Sequence, residues 1–213
     1  MKMKMYENEI ERYQALNDLA NGCGTVLFGG TEDKAIPLAE LKQTFEFDGN
    51  LYNRSISGLS IALAAEAFEA CAAKLKPSDA LLHIGDADLE HFQKEPAWFD
   101  NAYRNLISSV KKANPRCIIS VISLKNPMGS AVISEMNRHL KSIAEAEQCH
   151  FFDINLKRVW NPKEMREIVS FIYSTGFVRP LKRKLPNYDL IKILFCHDWR
   201  PMDCGGALAC HSI

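Results

Sequence analysis

The stretch LLHIGDADL, residues Leu81 to Leu89, decides the fold of this chain. An apolar run ends at Gly85, and two acidic residues, Asp86 and Asp88, come directly after it. This pattern is typical of a buried parallel strand that carries polar groups to the carboxyl edge of a sheet, where open α/β folds bind their ligands. The stretch therefore predicts a parallel sheet with a site at its edge.

The composition is that of a globular protein without a strong net charge. Of the 213 residues, 47% are hydrophobic and 24% are charged, which is enough for one large α/β domain. Lys plus Arg and Asp plus Glu number 26 each, so the charge favours neither nucleic acid nor an anionic membrane. No apolar run is long enough to span a membrane. Because the seven cysteines lack regular spacing and the charged start MKMKMYENEIERYQ is not of signal-peptide type, we expect reduced thiols and a cytoplasmic protein.

Strands and helices alternate along the chain. Apolar strands are predicted at residues 25–28, 51–56, 80–84, 117–123 and 150–154. Helical stretches separate them, which implies right-handed βαβ crossovers and a sheet covered on both faces. The sequence thus predicts an α/β fold: a three-layer α/β/α sandwich with a five-stranded parallel sheet of flavodoxin-like type.

The two ends of the chain lie outside this alternation. Residues 1–22 are predicted to form an N-terminal helix, with Ile10, Tyr13, Leu16 and Leu19 on one apolar stripe. Residues 23–160 form the predicted core. Residues 161–213 are expected to complete or cap the domain, with a helix at 162–173 and a helix or late strand at 188–196. Either end could cover a pocket or make an oligomer contact.

Three turns carry candidate chemistry. Gly29-Gly30-Thr31 follows the first strand and presents a hydroxyl at the sheet edge. After the second strand, Ser57 is expected to cap the next helix, and the Gly58 amide is a possible anion site. After the third strand, Asp86, Asp88 and Glu90 suggest either a divalent-cation site or a solvated loop in which Asp88 caps a turn.

The order of these turns resembles that of the SGNH/GDSL hydrolases, a family of esterases, lipases and acyl hydrolases. Strands one, two and three end in the segments GGT, NRSISG and IGDADL, strand five reads FFDIN, and the resemblance spans about residues 24–156. It implies an SGNH-hydrolase-like fold. It places the family's nucleophilic serine on Thr31 and the neighbouring aspartate on Gly30.

The rest of the resemblance argues against catalysis. It places the oxyanion-hole glycine on Gly58, the oxyanion-hole asparagine on Ala87 and the aspartate that follows it on Asp88. Alanine has no side-chain donor for the oxyanion. The family's D-x-x-H pair is missing from residues 156–213, where Leu194 stands three positions before His197. A hydroxyl without a base attacks poorly.

Three functional hypotheses follow. The first is a hydrolase-like protein with impaired catalysis that retains a ligand- or partner-binding pocket. The second is an active acyl or carbohydrate esterase with Thr31 as nucleophile and His197 or His83 as base, although His83 lies in mid-strand and is more typical of a satisfied core histidine. The third is a metal-dependent hydrolase using Asp86, Asp88 and Glu90. We expect a small ester or carbohydrate-like ligand, no cofactor, and neither nucleic acid nor membrane as partner.

Overall fold

The computed structural model describes residues 3–44 and 49–155, together with Leu190, Ile191, Leu194 and Phe195. The described residues form five strands, all parallel: β1 Thr25–Gly29, β2 Leu51–Asn53, β3 Asp79–His83, β4 Ile118–Ile122 and β5 His150–Phe152. The α-helices are α1 Glu7–Asp18, α2 Thr31–Lys34, α3 Leu38–Thr44, α4 Ile61–Cys71, α5 Leu89–Lys94, α6 Pro96–Ala113 and α7 Ala131–Ala146. Short 3₁₀ turns lie at Met3–Tyr6, Ala73–Leu75 and Asp86–Asp88. None of these helices is long and apolar enough to cross a membrane.

Helices cover both faces of the sheet, which confirms the predicted three-layer α/β/α sandwich. Along β1, Val26 and Phe28 pack on one face and Leu27 packs on the other, as strand alternation requires. The first face is buried by α1, α4, α6 and α7. The second face is buried by α3 and by the four described C-terminal residues, whose backbone is helical. The predicted helix at 162–173 lies outside the described residues.

The N-terminal helix packs on α4, but its predicted apolar stripe was partly wrong. Ile10 and Tyr13 are buried, whereas Leu16 is 43% exposed and Leu19 is 84% exposed. The buried residue near the C-terminal end of α1 is Asn17, whose side-chain oxygen accepts two hydrogen bonds from the Arg54 guanidinium. The hydrogen bonds between Asn17 and Arg54 therefore help to orient this helix. A search for apolar residues at helical spacing does not detect them.

The strand order β2-β1-β3-β4-β5 places a crevice at the carboxyl edge between β1 and β3. The chain leaves β1 towards the second face through α3, and it leaves β3 towards the first face through α6. Where neighbouring strands send the chain to opposite faces, a doubly wound sheet opens a ligand crevice. The segments after β1 and β3 are the ones that carry Thr31 and Asp86.

Candidate functional site

Thr31 and Gly58 meet at the carboxyl edge, as the resemblance implies. Thr31 is the first residue of α2, two positions after β1 ends. The Gly58 backbone N–H donates a hydrogen bond to Thr31 Oγ1 at 3.0 Å. The Gly58 carbonyl accepts a hydrogen bond from the Tyr6 hydroxyl at 2.8 Å, so the N-terminal segment helps to fix this turn. The hydroxyl at the nucleophile position is thus bound to the amide at the oxyanion position.

Asp88 holds the start of helix α4 rather than facing a ligand. Its carboxylate accepts hydrogen bonds from the Ser60 hydroxyl at 2.5 Å and from the Ile61 N–H at 2.7 Å. Burial raises the pKa of Asp88, although these two hydrogen bonds oppose the change. Ser60 is the N-cap of α4, so the prediction that Ser57 caps this helix was wrong. Ala87 is exposed in the turn just before Asp88.

The three carboxylates proposed as metal ligands do not converge. Asp88 is engaged at the start of α4, whereas Asp86 lies beside Gly30. Across the described part of the chain, no group of three or more His, Cys, Asp or Glu side chains is arranged to hold a metal ion. The metal hypothesis for Asp86, Asp88 and Glu90 is therefore corrected: these residues are close in sequence, but the described residues do not bring them together as a metal site.

A buried Asp33–His83 pair was missed by the sequence analysis. His83 Nδ1 lies 2.8 and 3.0 Å from the two oxygens of Asp33, and Asp33 Oδ2 also accepts the Gly30 N–H at 2.9 Å. Asp33 is 2% exposed and His83 is 7% exposed. His83 is the last residue of β3, not a mid-strand residue, and it is only half satisfied because Nε2 is buried without a partner among the described residues.

The sequence does contain evidence for the Asp33–His83 pair, but it becomes visible only when the ends of the paired strands β1 and β3 are compared. Gly29 and His83 are partners in the β1–β3 register, so residues just after β1 lie beside the end of β3. Asp33 is four residues beyond Gly29, within the first helical turn that follows the strand. Reading the strand ends side by side would have placed Asp33 next to His83.

The pair lines a pocket in the crevice between β1 and β3. The pocket has a volume of about 80 Å³, and its lining includes the polar residues Asp33, His83 and Asp86 and the apolar residues Leu89, Leu124 and Ile133. Glu32 and Lys125 also line it and form an ion pair with each other at 2.9 Å. Thr31 is not among the residues that line this pocket.

Asp86 is a carboxylate of this pocket whose charged form is disfavoured by burial. It lies so close to Gly30 that a Cβ at that position would be 2.8 Å from Asp86 Oδ1. Although the residue as a whole is exposed, loss of water around its carboxyl group raises the pKa of Asp86. The neighbouring His83 opposes this shift, and the Asp33 carboxylate adds to it. A side chain at position 30 would therefore require the Asp86 carboxylate to move.

We expect Asp86→Asn to raise the free energy of unfolding at neutral pH. A carboxyl group whose pKa is raised in the folded protein is less stable ionised there than in the unfolded chain, so its removal stabilises the fold. The gain should shrink as the pH falls through the raised pKa towards the ordinary value of 3.8, because the protonated group carries no such penalty. Thermal unfolding of both proteins across that range measures the difference. Glu90→Gln, on the same segment and exposed, should show no such gain at any pH.

The remaining candidate base, His197, lies outside the described residues, so its relation to Thr31 stays a prediction. Among the described residues, the Thr31 hydroxyl has its side-chain hydrogen bond with Gly58 and with no histidine. The expectation that no cofactor is needed also stays a prediction.

Comparison with known proteins identifies the fold. No protein-family model matches the chain, and no curated protein sequence matches it. Solved structures do match. A Streptococcus pneumonia protein provisionally named a platelet activating factor shares 22% identity over 71% of this chain and 76% of its own, with a TM-score of 0.59.

Two further structures agree. The acetyl xylan esterase AlAXEase shares 15% identity over 68% of this chain and 84% of its own, with a TM-score of 0.53. A GDSL-like lipase of Bacteroides thetaiotaomicron shares 16% identity over 68% of this chain and 77% of its own, with a TM-score of 0.51. At these identities the likeness is one of fold, and it confirms the SGNH/GDSL hydrolase-like architecture.

Proposed function

We propose that this protein is an SGNH-hydrolase-like protein whose ester hydrolysis is impaired and whose pocket at the carboxyl edge binds a small ligand. The fold supplies the pocket, and fold alone does not supply the chemistry. The proposal depends on what surrounds the residue at the nucleophile position.

The observation that carries the proposal is the hydrogen bond from the Gly58 N–H to Thr31 Oγ1. An oxyanion hole works when its donors point at the position of the developing negative charge. Here the Gly58 donor is already bound to the hydroxyl that would attack. The same contact occupies one of the two lone pairs of that hydroxyl and makes the oxygen a weaker nucleophile.

The second donor and the base are also missing from the described residues. Ala87 stands where the family's asparagine would donate, and losing one such donor costs on the order of 10²–10³ in rate. His83 has its Nδ1 turned to Asp33 instead of contacting Thr31. Removing members of a catalytic triad costs roughly 10⁴–10⁶ in kcat. Together these losses support a protein that binds rather than turns over esters.

Hydrolysis of short p-nitrophenyl esters tests this proposal. We expect release of p-nitrophenol at the same rate from the protein, from Thr31→Ala and from the heat-denatured protein. Thr31→Ala removes one exposed hydroxyl, so its fold should be retained and can be checked by circular dichroism. Turnover that is clearly above the denatured control and disappears in Thr31→Ala would contradict the proposal and favour the active hydrolase with a rearranged base.

The proposed ligand is a small molecule. The pocket volume of about 80 Å³ exceeds the roughly 10–15 Å³ that a single water needs, yet it is far below the size of a drug-like site. The pocket therefore suits a compact group, such as one end of an ester- or carbohydrate-like molecule. The balanced net charge gives no support for nucleic acid as a partner.

A further inference from the structure

The N-terminal segment forms hydrogen bonds with the turn that contains Gly58. Three buried side chains of this segment contact residues 54–58: Tyr6, Tyr13 and Asn17. The Tyr6 hydroxyl donates to the Gly58 carbonyl at 2.8 Å, and the Tyr13 hydroxyl donates to the Ser55 carbonyl at 2.6 Å. Because a helix repeats every 3.6 residues, positions 6, 13 and 17 lie on one side of it. One side of the N-terminal segment therefore contacts this turn along its length.

The same segment also contacts the helix that carries Thr31. Glu9 of α1 forms an ion pair with Lys34, the last residue of α2. Thr31 is the first residue of that four-residue helix. The N-terminal segment therefore contacts the elements on both sides of the hydrogen bond between Thr31 and Gly58.

Gly58 depends on contacts from outside its turn to keep its conformation. Its φ is +66°, and a Cβ there would meet no atom of the described residues within 4 Å. Glycine adopts positive and negative φ about equally readily, so its own backbone does not select this value. The hydrogen bond inside the turn, from the Leu59 N–H to the Ile56 carbonyl, is long at 3.4 Å. Thr31 holds the N–H of Gly58, and Tyr6 holds its carbonyl.

Tyr6 is well suited to hold this carbonyl. Its side chain belongs to the core of the first face of the sheet and is 6% exposed. Loss of water around the hydroxyl raises the pKa of Tyr6, and the Asp88 carboxylate adds to this shift. The hydroxyl therefore keeps its hydrogen at neutral pH and remains a donor.

We propose that the N-terminal segment controls the edge of the site by fixing Gly58, with Tyr6 as the positioning residue. Tyr6 holds the carbonyl of Gly58, so that the N–H of the same residue stays on Thr31 Oγ1 and is withheld from a ligand oxygen. The proposal deepens the proposed function and rests on it in one respect, because it takes the contact between Thr31 and Gly58 as the feature that occupies the oxyanion donor.

Hydrogen exchange of the Gly58 amide, followed by ¹⁵N NMR, tests this role. Tyr6→Phe keeps the buried ring and removes only the hydroxyl. We expect Gly58 to exchange about two- to tenfold faster in this variant, the effect of losing one hydrogen bond between uncharged groups. Tyr13→Phe is the matched control, since it removes a hydroxyl of the same segment that is bound to Ser55, and it should leave the Gly58 rate unchanged. Each rate is compared with that of Leu82 in β3, which follows the stability of the core.

A second background shows whether Tyr6 acts through the contact with Thr31. Thr31→Ala removes the acceptor of the Gly58 N–H, so Gly58 should exchange fast in this variant. Adding Tyr6→Phe should then change the rate no further, because the two residues act on the same amide.

Three results would overturn the proposal. These are an unchanged Gly58 rate in Tyr6→Phe, an equal acceleration in Tyr13→Phe, and additive effects of Tyr6→Phe and Thr31→Ala. None of the samples contains an ester, so such a failure leaves the absence of turnover standing. Conversely, ester turnover that depends on Thr31 would contradict the proposed function without altering the exchange rates.

Discussion

Replacing Asp33 with alanine is expected to destabilise the protein by several kcal/mol. The substitution leaves the Gly30 N–H and the His83 Nδ1–H without their acceptor, and each buried donor left unsatisfied costs about 1–3 kcal/mol. Asp33 is also in the first turn of α2, where a carboxylate stabilises the helix N-terminus. The loss should appear as a lower midpoint in urea unfolding with an unchanged slope.

Glu32→Ala is the matched control, because Glu32 is the adjacent carboxylate but its ion pair with Lys125 is solvent-exposed. An exposed pair of this kind contributes about 0–1 kcal/mol. If Asp33→Ala were no more destabilising than Glu32→Ala, the buried pair would not contribute to the fold as described. Asp33→Asn should lie between the two, since its carbonyl oxygen keeps one acceptor.

Gly85→Ala is expected to be the second strongly destabilising change. Gly85 has φ of +129°, a region that side chains disfavour, and its added Cβ would lie 3.0 and 3.1 Å from two ring atoms of Phe99. Phe99 is fully buried in the core, so its ring can move only by displacing the residues packed around it. Backbone strain of about 1–3 kcal/mol and overpacking of about 1–3 kcal/mol should add.

Gly129→Ala separates these two contributions. Gly129 also has a positive φ, of +68°, but a Cβ there would meet nothing within 4 Å. It should therefore show the conformational cost alone, about 1–2 kcal/mol. Equal losses for the two variants, measured by thermal unfolding, would show that contact with Phe99 contributes nothing.

The sheet was predictable because its strands are short apolar runs with clear ends. Val26 and Leu82 lie in such runs, and glycines follow at Gly29 and Gly85. In a parallel sheet covered on both faces, each strand is buried along its whole length and reads as a continuous apolar run. The local sequence therefore predicts the position of each strand. The predicted second and fifth strands extended to Ile56 and Ile154, whereas β2 ends at Asn53 and β5 ends at Phe152, where polar residues follow.

The pairing of polar groups was not predictable in the same way. Asn17 takes the place on α1 that an apolar residue was expected to fill, because Arg54 comes from a turn 37 residues away. Ser60, and not Ser57, caps α4 because the chain makes another turn before the helix begins. The Asp33–His83 contact joins residues 50 apart and depends on strand register. Such contacts come from tertiary structure, which hydrophobic periodicity does not report.

The site residues inferred from the resemblance fall into two groups. Gly30, Thr31 and Gly58 lie together at the sheet edge. Asp88 is instead committed to the start of α4, and Ala87 offers no donor. The sequence order of the turns therefore predicted which residues lie at the carboxyl edge of the sheet. The role of each residue there follows only from its contacts in the structure.

Intact-mass spectrometry after incubation with a fluorophosphonate tests the central claim most directly, because this reagent bonds covalently to an activated hydroxyl nucleophile. Since the Thr31 hydroxyl is bound to the Gly58 amide and has no base among the described residues, we expect the mass to remain unchanged. A serine esterase treated in parallel confirms that the reagent is active. A phosphonyl adduct that maps to Thr31 and is absent from Thr31→Ala would contradict the claim that this protein has lost the hydrolase nucleophile.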